Sequence, residues 1–177
     1  AHVAEGATQH IAQVVSEMMS YTRLRPPEFQ MIEMDQIVDS ALDLLENDFS
    51  KHEIQIQKGY SPNRMAAEAD GSQMKQVFLN LFMNALDAMV SQDGKPKRLE
   101  IVIFPNVKEL IVKIRDTGPG IPAHLIPKLF TDSITTKEKG SGIDLSIAHQ
   151  ILQAHQATIQ AQSQVGVGTT FTIVLPI

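Results

Sequence analysis

The chain has 177 residues, 43% apolar and 20% charged, a composition that suits one globular domain with a modest appendage and excludes general disorder. A net charge of −5, without any basic cluster interleaved with aromatics, argues against nucleic-acid binding. The lack of cysteine excludes a disulfide framework and a thiolate metal site, no apolar run reaches membrane-spanning length, and residues 1–6 lack the blocks of a signal peptide, so a cytoplasmic piece without membrane contact is expected.

Val3, Ala7, Ile11, Val14, Met18 and Tyr21 recur at spacings of three and four and describe one narrow helical stripe that wants a partner helix. Arg25-Pro26-Pro27 ends it, because proline cannot continue the hydrogen-bond ladder, and the domain boundary is placed there, 1–27 against 28–177. Asp35 is expected to cap a second helix with Ile37, Val38, Ala41, Leu42, Leu45 and Phe49 inward. Ile54, Ile56 and residues 58–60 alternate as a strand, and Ser61-Pro62-Asn63 reads as a turn. A third helix begins near Asp70 or Ser72 and buries Met74, Val77, Phe78, Leu81, Phe82, Ala85 and Met89.

Residues 99–104 and 110–115 are strand-like and suit a hairpin through residues 105–108. A short helix is expected over residues 123–130, and polar, glycine-bounded residues 131–142 read as a mobile loop. Helix returns over residues 143–154, and two last strands, 158–162 and 169–175, flank Gly166-Val167-Gly168. The sum is an α+β, two-layer sandwich with helices on one face of a mixed, mostly antiparallel sheet.

Three segments carry chemistry. Asn80 and Asn84, four residues apart, project one turn from each other beside the buried stripe, and Gln76 and Asp87 extend that face. Neutral amide oxygens suit Mg²⁺, which shares its positions among waters, a protein oxygen or two and substrate phosphates. Asp116 ends a strand before Gly118 and Gly120, where a carboxylate at the base of a cleft can accept from an exocyclic amine such as adenine's. Thr135-Thr136-Lys137 followed by Gly140-Ser141-Gly142 leads into a helix N-terminus, whose amides and dipole attract phosphate. Taken singly, each has an ordinary structural reading: a solvated helix face, a glycine turn, a loop with an exposed lysine. Their order supplies the specificity.

Amide helix, Asp116-Thr-Gly-Pro-Gly-Ile121, Leu129-Phe130 with Thr135-Thr-Lys137, Gly140-Ser-Gly142 and Gly168-Thr-Thr-Phe171 together resemble the catalytic, ATP-binding domain of sensor histidine kinases. The resemblance covers roughly residues 30–177 and implies the Bergerat sandwich shared with gyrase, mismatch-repair and heat-shock chaperone ATPases. It implies Mg·ATP as the ligand, Asn84 as the Mg²⁺ ligand, Asn80 beside the phosphates and, with Lys137, in the catalytic role. It also implies Asp116 as the reader of adenine, Gly118 and Gly120 at the base pocket, Phe130 as lid anchor and Lys137, Gly140 and Gly142 along the lid. Thr169 then supports a water network on the adenine side, and Asp87, Ile121, Thr136, Ser141 and Leu145 complete the implied nucleotide site. Residues 1–25 are similar to the second helix of the family's dimerisation and phosphotransfer hairpin, so the implied partners are the histidine-bearing hairpin of a parent kinase, a second copy in a homodimer and a response-regulator receiver domain.

The sequence departs from the family pattern in three places. No His-Glu-(apolar)-(basic)-(polar)-Pro segment occurs, so the phosphoacceptor histidine is expected outside the chain. Asp144 stands where the lid motif usually has a third glycine, a like charge near triphosphate that costs between under ~1 and about 3 kcal/mol depending on screening. Ala157 stands where glycine is common after His155. The absent phosphoacceptor and Asp144 motivate the alternative of a degenerate nucleotide-binding or regulator-docking module without kinase activity. Asn80, where the ATPase branches carry a glutamate that activates water, favours phosphoryl transfer over hydrolysis.

Overall fold

Two hydrophobic periods build the molecule: a period near two that makes one sheet face apolar, and a period near 3.6 that gives three helices a stripe to lay on it. The computed structural model describes residues 25–63, 65–92, 94–130 and 143–177, the side chains of residues 143 and 144 excepted. The stripe read over residues 1–21 and the loop read at residues 131–142 lie outside the described residues.

In chain order the elements are β1 (Gln30–Glu33), α1 (Met34–Leu44), α2 (Glu46–Lys51), β2 (Gln55–Tyr60), β3 (Ala66–Ala69) and α3 (Gly71–Val90). They continue with β4 (Arg98–Pro105), β5 (Glu109–Asp116), a 3-10 turn (Ile126–Lys128), α4 (Ile143–Ala154), β6 (Thr158–Gln164) and β7 (Gly168–Pro176). Five strands form the main sheet in the order β2-β4-β5-β7-β6, with only β2 and β4 parallel, and β1 pairs with β3 in a separate antiparallel ribbon. The sheet is thus mixed and mostly antiparallel, as expected. The central helix α3 packs between α1 and α4.

Register places the core. Ile103, Val112, Ile173 and Ile159 form one row across four strands, and Ile101, Ile114, Phe171 and Ala161 form the next. Against these rows α3 buries Met74, Val77, Phe78, Leu81, Phe82, Ala85 and Met89, all seven of the positions its periodicity assigned to the core. Each large side chain so buried contributes roughly 1.5–3 kcal/mol.

The start of α3 is fixed by Asp70. Its Oδ1 accepts from the Ser72 N–H at 3.0 Å, the Gln73 N–H at 3.1 Å and the Ser72 hydroxyl at 2.8 Å, which satisfies donors left over at the helix N-terminus. Its Oδ2 takes the Glu28 N–H at 3.0 Å and the Arg25 guanidinium at 2.9 Å. Burial alone pushes this carboxyl upward, but the Glu28 and Gln73 amides, the Ser72 hydroxyl and Arg25 outweigh it and hold the pKa at about 2, below the ordinary 3.8.

Several expectations need correction. Asp35 does not cap the second helix: the N-cap is Glu33, with extended backbone and no side-chain bond. β1 runs straight into α1, and the Met34 N–H donates instead to the Met65 carbonyl at 2.9 Å, leaving Asp35 in the first turn. That second helix is also two, since the backbone leaves helical geometry at Leu45 before α2. The short helix expected over residues 123–130 is only the 3-10 turn, held by Lys128 N–H to Leu125 at 3.0 Å and Leu129 N–H to Ile126 at 3.3 Å. Pro127 removes the N–H that an α-helix starting at residue 123 would donate to its first carbonyl. The β1–β3 ribbon went unread, because Gln30-Met-Ile-Glu33 is short and Ala66-Ala-Glu-Ala69 lacks β-branched residues.

Ala157, which stands where glycine is common, is not the left-handed residue of its turn. The left-handed residue after α4 is Gln156, at φ +56°, while the Ala157 N–H reaches back to Leu152 at 2.8 Å and the Gln156 N–H to Gln153 at 3.0 Å. Gln156→Gly should therefore stabilise the fold by about 1 kcal/mol, read as a rise of a few degrees in Tm. Asp70, whose pKa is lowered on folding, contributes stability that is complete above about pH 4 and lost as pH falls toward 2. In denaturant melts, wild type should exceed Asp70→Asn by about 2 kcal/mol near pH 6, with the gap closing by about pH 2.

Candidate functional site

The inner face of the sheet changes character in its last row. Where the preceding rows are apolar, Ser163, Thr169 and Asp116 stand side by side on β6, β7 and β5, with Leu99 closing the row on β4. Asp116 is 4% exposed and Thr169 5%. The Asp116 carboxylate accepts from the Gly118 N–H at 2.8 Å and from the Thr169 N–H. Burial pushes its carboxyl above the ordinary carboxylate range, and these backbone donors offset only part of that. A carboxylate so placed is a rigid acceptor, available to a ligand that brings its own donor.

Glycine sets how close the neighbouring loop comes. A Cβ on Gly118 would sit 3.0 Å from the Ala88 Cβ and 2.8 Å from the Asp116 oxygen, so the absent side chain lets the loop lie directly on α3. Ala88 is one turn beyond Asn84 on that helix. Gly120 has φ +74°, and a Cβ there would collide with the Gln164 carbonyl. The two glycines thus press the 117–121 loop against α3 on one side and the β6–β7 hairpin on the other, and this brings Asp116 beside the half of α3 that carries the amides.

On α3, Asn80 is 8% exposed, Asn84 is half-buried and Asp87 is exposed, so the polar face deepens toward the middle of the helix. Asn80 and Asn84 offer neutral oxygen donors one turn apart, a donor set that fits Mg²⁺ shared with phosphate oxygens. Among the described residues no three His, Asp or Glu side chains cluster to hold a metal by themselves. Phe130 packs edge-on against Phe171, with centroids 6.3 Å apart, and against His149 at 5.6 Å, which ties the end of the described loop to β7 and α4. Ile121 and Leu145 are half-buried and packed on the core. Thr136, Lys137, Gly140, Ser141 and Gly142 lie outside the described residues, as does the Asp144 side chain.

Ser163 was missed as a site residue. Its Oγ accepts from the Ile121 N–H at 2.7 Å, donates to the Gly168 carbonyl at 2.9 Å and lies 2.9 Å from Thr169 Oγ1. The signal was the alternation of β6, in which Ile159, Ala161 and Ser163 share one face.

The far ends of the two site helices are joined as well. The Asp70 N–H donates to His155 Nε2 at 3.0 Å, and His155 Nδ1 lies 2.8 Å from the Ile151 carbonyl, so the ring carries its proton on Nδ1. Phe29 stands edge-on to that ring at 5.2 Å, and the Gln73 amide donates to the Arg25 carbonyl at 2.9 Å.

Because folding raises the pKa of Asp116, its ionisation costs the folded state stability, a cost absent below the ordinary carboxylate pKa and growing as pH rises through the folded value. In ligand-free thermal melts from pH 4 to 7, the Tm of Asp116→Asn minus that of wild type should increase with pH. A difference that stays flat or falls would show that the carboxylate is not held against its ionisation.

Residues 69–177 match the family described as histidine kinase-, DNA gyrase B- and HSP90-like ATPase. The whole chain is 29% identical to the sensor histidine kinase ZraS of Escherichia coli K12, of which it covers 37%. It is 30% identical over 96% of its length to the sensory histidine kinase/phosphatase NtrB of Rhizobium leguminosarum bv. phaseoli, covering 47% of that protein. The chain spans under half the length of both curated relatives. In structure it is similar to the nucleotide-free catalytic domain of the histidine kinase ThkA, with a TM-score of 0.75 at 27% identity, covering 84% of this chain and 95% of that one. Among the described residues no helix is long and apolar enough to cross a membrane. A buried carboxylate before a glycine loop pressed onto an amide-bearing helix, and a family match over these same segments, lead to one conclusion: the chain belongs to the histidine kinase-, DNA gyrase B- and HSP90-like ATPase family.

Proposed function

We propose that this chain is the ATP-binding catalytic portion of a two-component sensor histidine kinase, and that it directs the γ-phosphoryl group of Mg·ATP to a histidine outside the chain. The observation that supports the reading is the close approach of Gly118 to Ala88, which sets the Asp116 carboxylate beside the amide face of α3, as one ligand reaching both would require. The kinase names of the relatives support it, and they do not favour a module without activity.

The mechanism is positioning and charge shielding. An imidazole is already a capable nucleophile, so phosphoryl transfer needs alignment and neutralisation of charge more than a protein base. Asp116 accepts the adenine amine and fixes the base, while Thr169 supports its water network. Asn84 would hold Mg²⁺ through its amide oxygen, with Asn80 beside the phosphates; when bound, the ion supplies charge neutralisation between phosphate oxygens. Lys137 and the Gly140-Ser141-Gly142 loop belong to the phosphate side, with Thr136, Ile121, Leu145 and Asp87 around the nucleotide and Phe130 anchoring the lid.

In this reading residues 1–27 are the second helix of the dimerisation and phosphotransfer hairpin and residues 28–177 the catalytic domain. The partners are the histidine-bearing hairpin of the parent, a second protomer and a response-regulator receiver domain, and the setting is the cytoplasm. The test titrates Mg·ATP against wild type, Asn84→Ala and Asp116→Asn, then supplies a hairpin from the parent kinase with labelled ATP. Each variant should lose at least about tenfold in affinity, the worth of one charge-assisted or metal contact, and label should appear on the hairpin histidine with wild type alone. Equal binding by all three proteins would refute the site; tight binding with no labelled hairpin would leave a binder and refute the kinase.

A further inference from the structure

Ser163 has one proton and three polar neighbours, and this arithmetic fixes the direction of a hydrogen-bond chain. The Ile121 N–H can only donate, so Ser163 Oγ accepts there at 2.7 Å. The Gly168 carbonyl can only accept, so the single Ser163 proton goes to it at 2.9 Å. The remaining contact, Thr169 Oγ1 at 2.9 Å, is then satisfied only if the threonine is the donor. Thr169's own proton is thereby committed to Ser163, and the threonine oxygen is left with lone pairs alone to show a ligand.

Thr169 is paired directly with Asp116 across β5 and β7, and both face the inner side of the sheet. Two neighbouring groups, one a carboxylate and one a hydroxyl whose proton is taken, therefore present acceptors only. We propose that Ser163 is a positioning residue for purine specificity: by taking the Thr169 proton it makes the site read a base edge that carries an amine and reject one that carries a carbonyl at the same place. The proposal rests on the reading of this site as a nucleotide pocket and names a residue that acts through another, without touching the base. An adenine amine has two N–H donors, one for Asp116 and one for Thr169, directly or across one water. A 6-oxo purine offers N1–H to Asp116, but its carbonyl finds no donor at Thr169 and is desolvated without compensation. Ser163 also holds the Ile121 amide, so its loss loosens the loop; a loosened loop weakens all purines alike, whereas a released Thr169 proton changes their ratio.

The experiment measures the affinities of ATP and inosine triphosphate, each with Mg²⁺, for wild type, Ser163→Ala, Ser163→Thr and Thr169→Val, with thermal melts on every protein. Wild type should prefer ATP. Ser163→Ala should narrow that preference about fivefold to tenfold, because Thr169 regains a proton to offer the inosine carbonyl, a change of one neutral hydrogen bond. Ser163→Thr, which keeps the hydroxyl, should retain the wild-type ratio. Thr169→Val should weaken ATP more than inosine triphosphate and so narrow the preference, and equal losses for both would overturn the acceptor role of Thr169 even if Ser163→Ala fails to fold. A folded Ser163→Ala that loses both nucleotides by the same factor overturns the specificity role while leaving the nucleotide site standing. Failure of wild type to bind ATP at all overturns the site itself and this role with it.

Discussion

The structure turns on one buried carboxylate. Asp116 occupies a position whose neighbours in the sheet rows above are isoleucine, phenylalanine and valine, so its charge is tolerated only because the Gly118 and Thr169 amides reach it. That requirement dictates the local backbone. The strand has to end there and the following residue pair has to fold back, and the loop has to approach α3 so closely that no Cβ fits at Gly118. What is a defect in a core is an asset in a site, since an acceptor satisfied in part by rigid backbone keeps its direction without a ligand and need not reorganise when one arrives.

The two helices that flank this carboxylate are held at their far ends by an unrelated set of groups. Asp70 caps α3 while its own N–H binds His155, the residue immediately after α4, and Arg25 and Glu28 close over the same carboxylate from the segment before β1. The amide helix and the helix that follows the glycine loop are therefore registered against each other and against the incoming chain. This arrangement relates the placement of the α3 amides to residues 25–28. Asp70 and His155, the centre of this clamp, are buried and multiply bonded while Arg25 lies at the surface; in the Lys58–Asp39 pair both partners are open to water, and that pair contributes little.

Much of this was legible in the order of residues. The seven inward positions of α3 follow from a 3.6-residue period, and the β4–β5 hairpin from two alternating runs around residues 105–108. Motif order singled out Asp116 and Thr169, which the structure buries side by side on β5 and β7. Asp35 was misread as a cap because an acidic residue before an apolar run is a sound local signal, yet the Met65 carbonyl, brought by β3 from far along the chain, supplied the helix with its first partner. The helix expected over residues 123–130 shrank to a 3-10 turn for a local reason, the proline at 127.

By itself the sequence determined the periods, the breaks and the chemical identity of the candidate site groups, because these depend on each residue and its near neighbours. Tertiary structure alone decided that Ser163, Thr169 and Asp116 form one row, since strand register pairs residues as far apart in sequence as Asp116 and Thr169. It alone decided the direction of the proton chain through Ser163 and the seating of Gly118 on Ala88. Local preference selects which elements form. Which side chains then meet is set by pairing and packing, where a shift of one residue along a strand would turn the whole polar row to the other face.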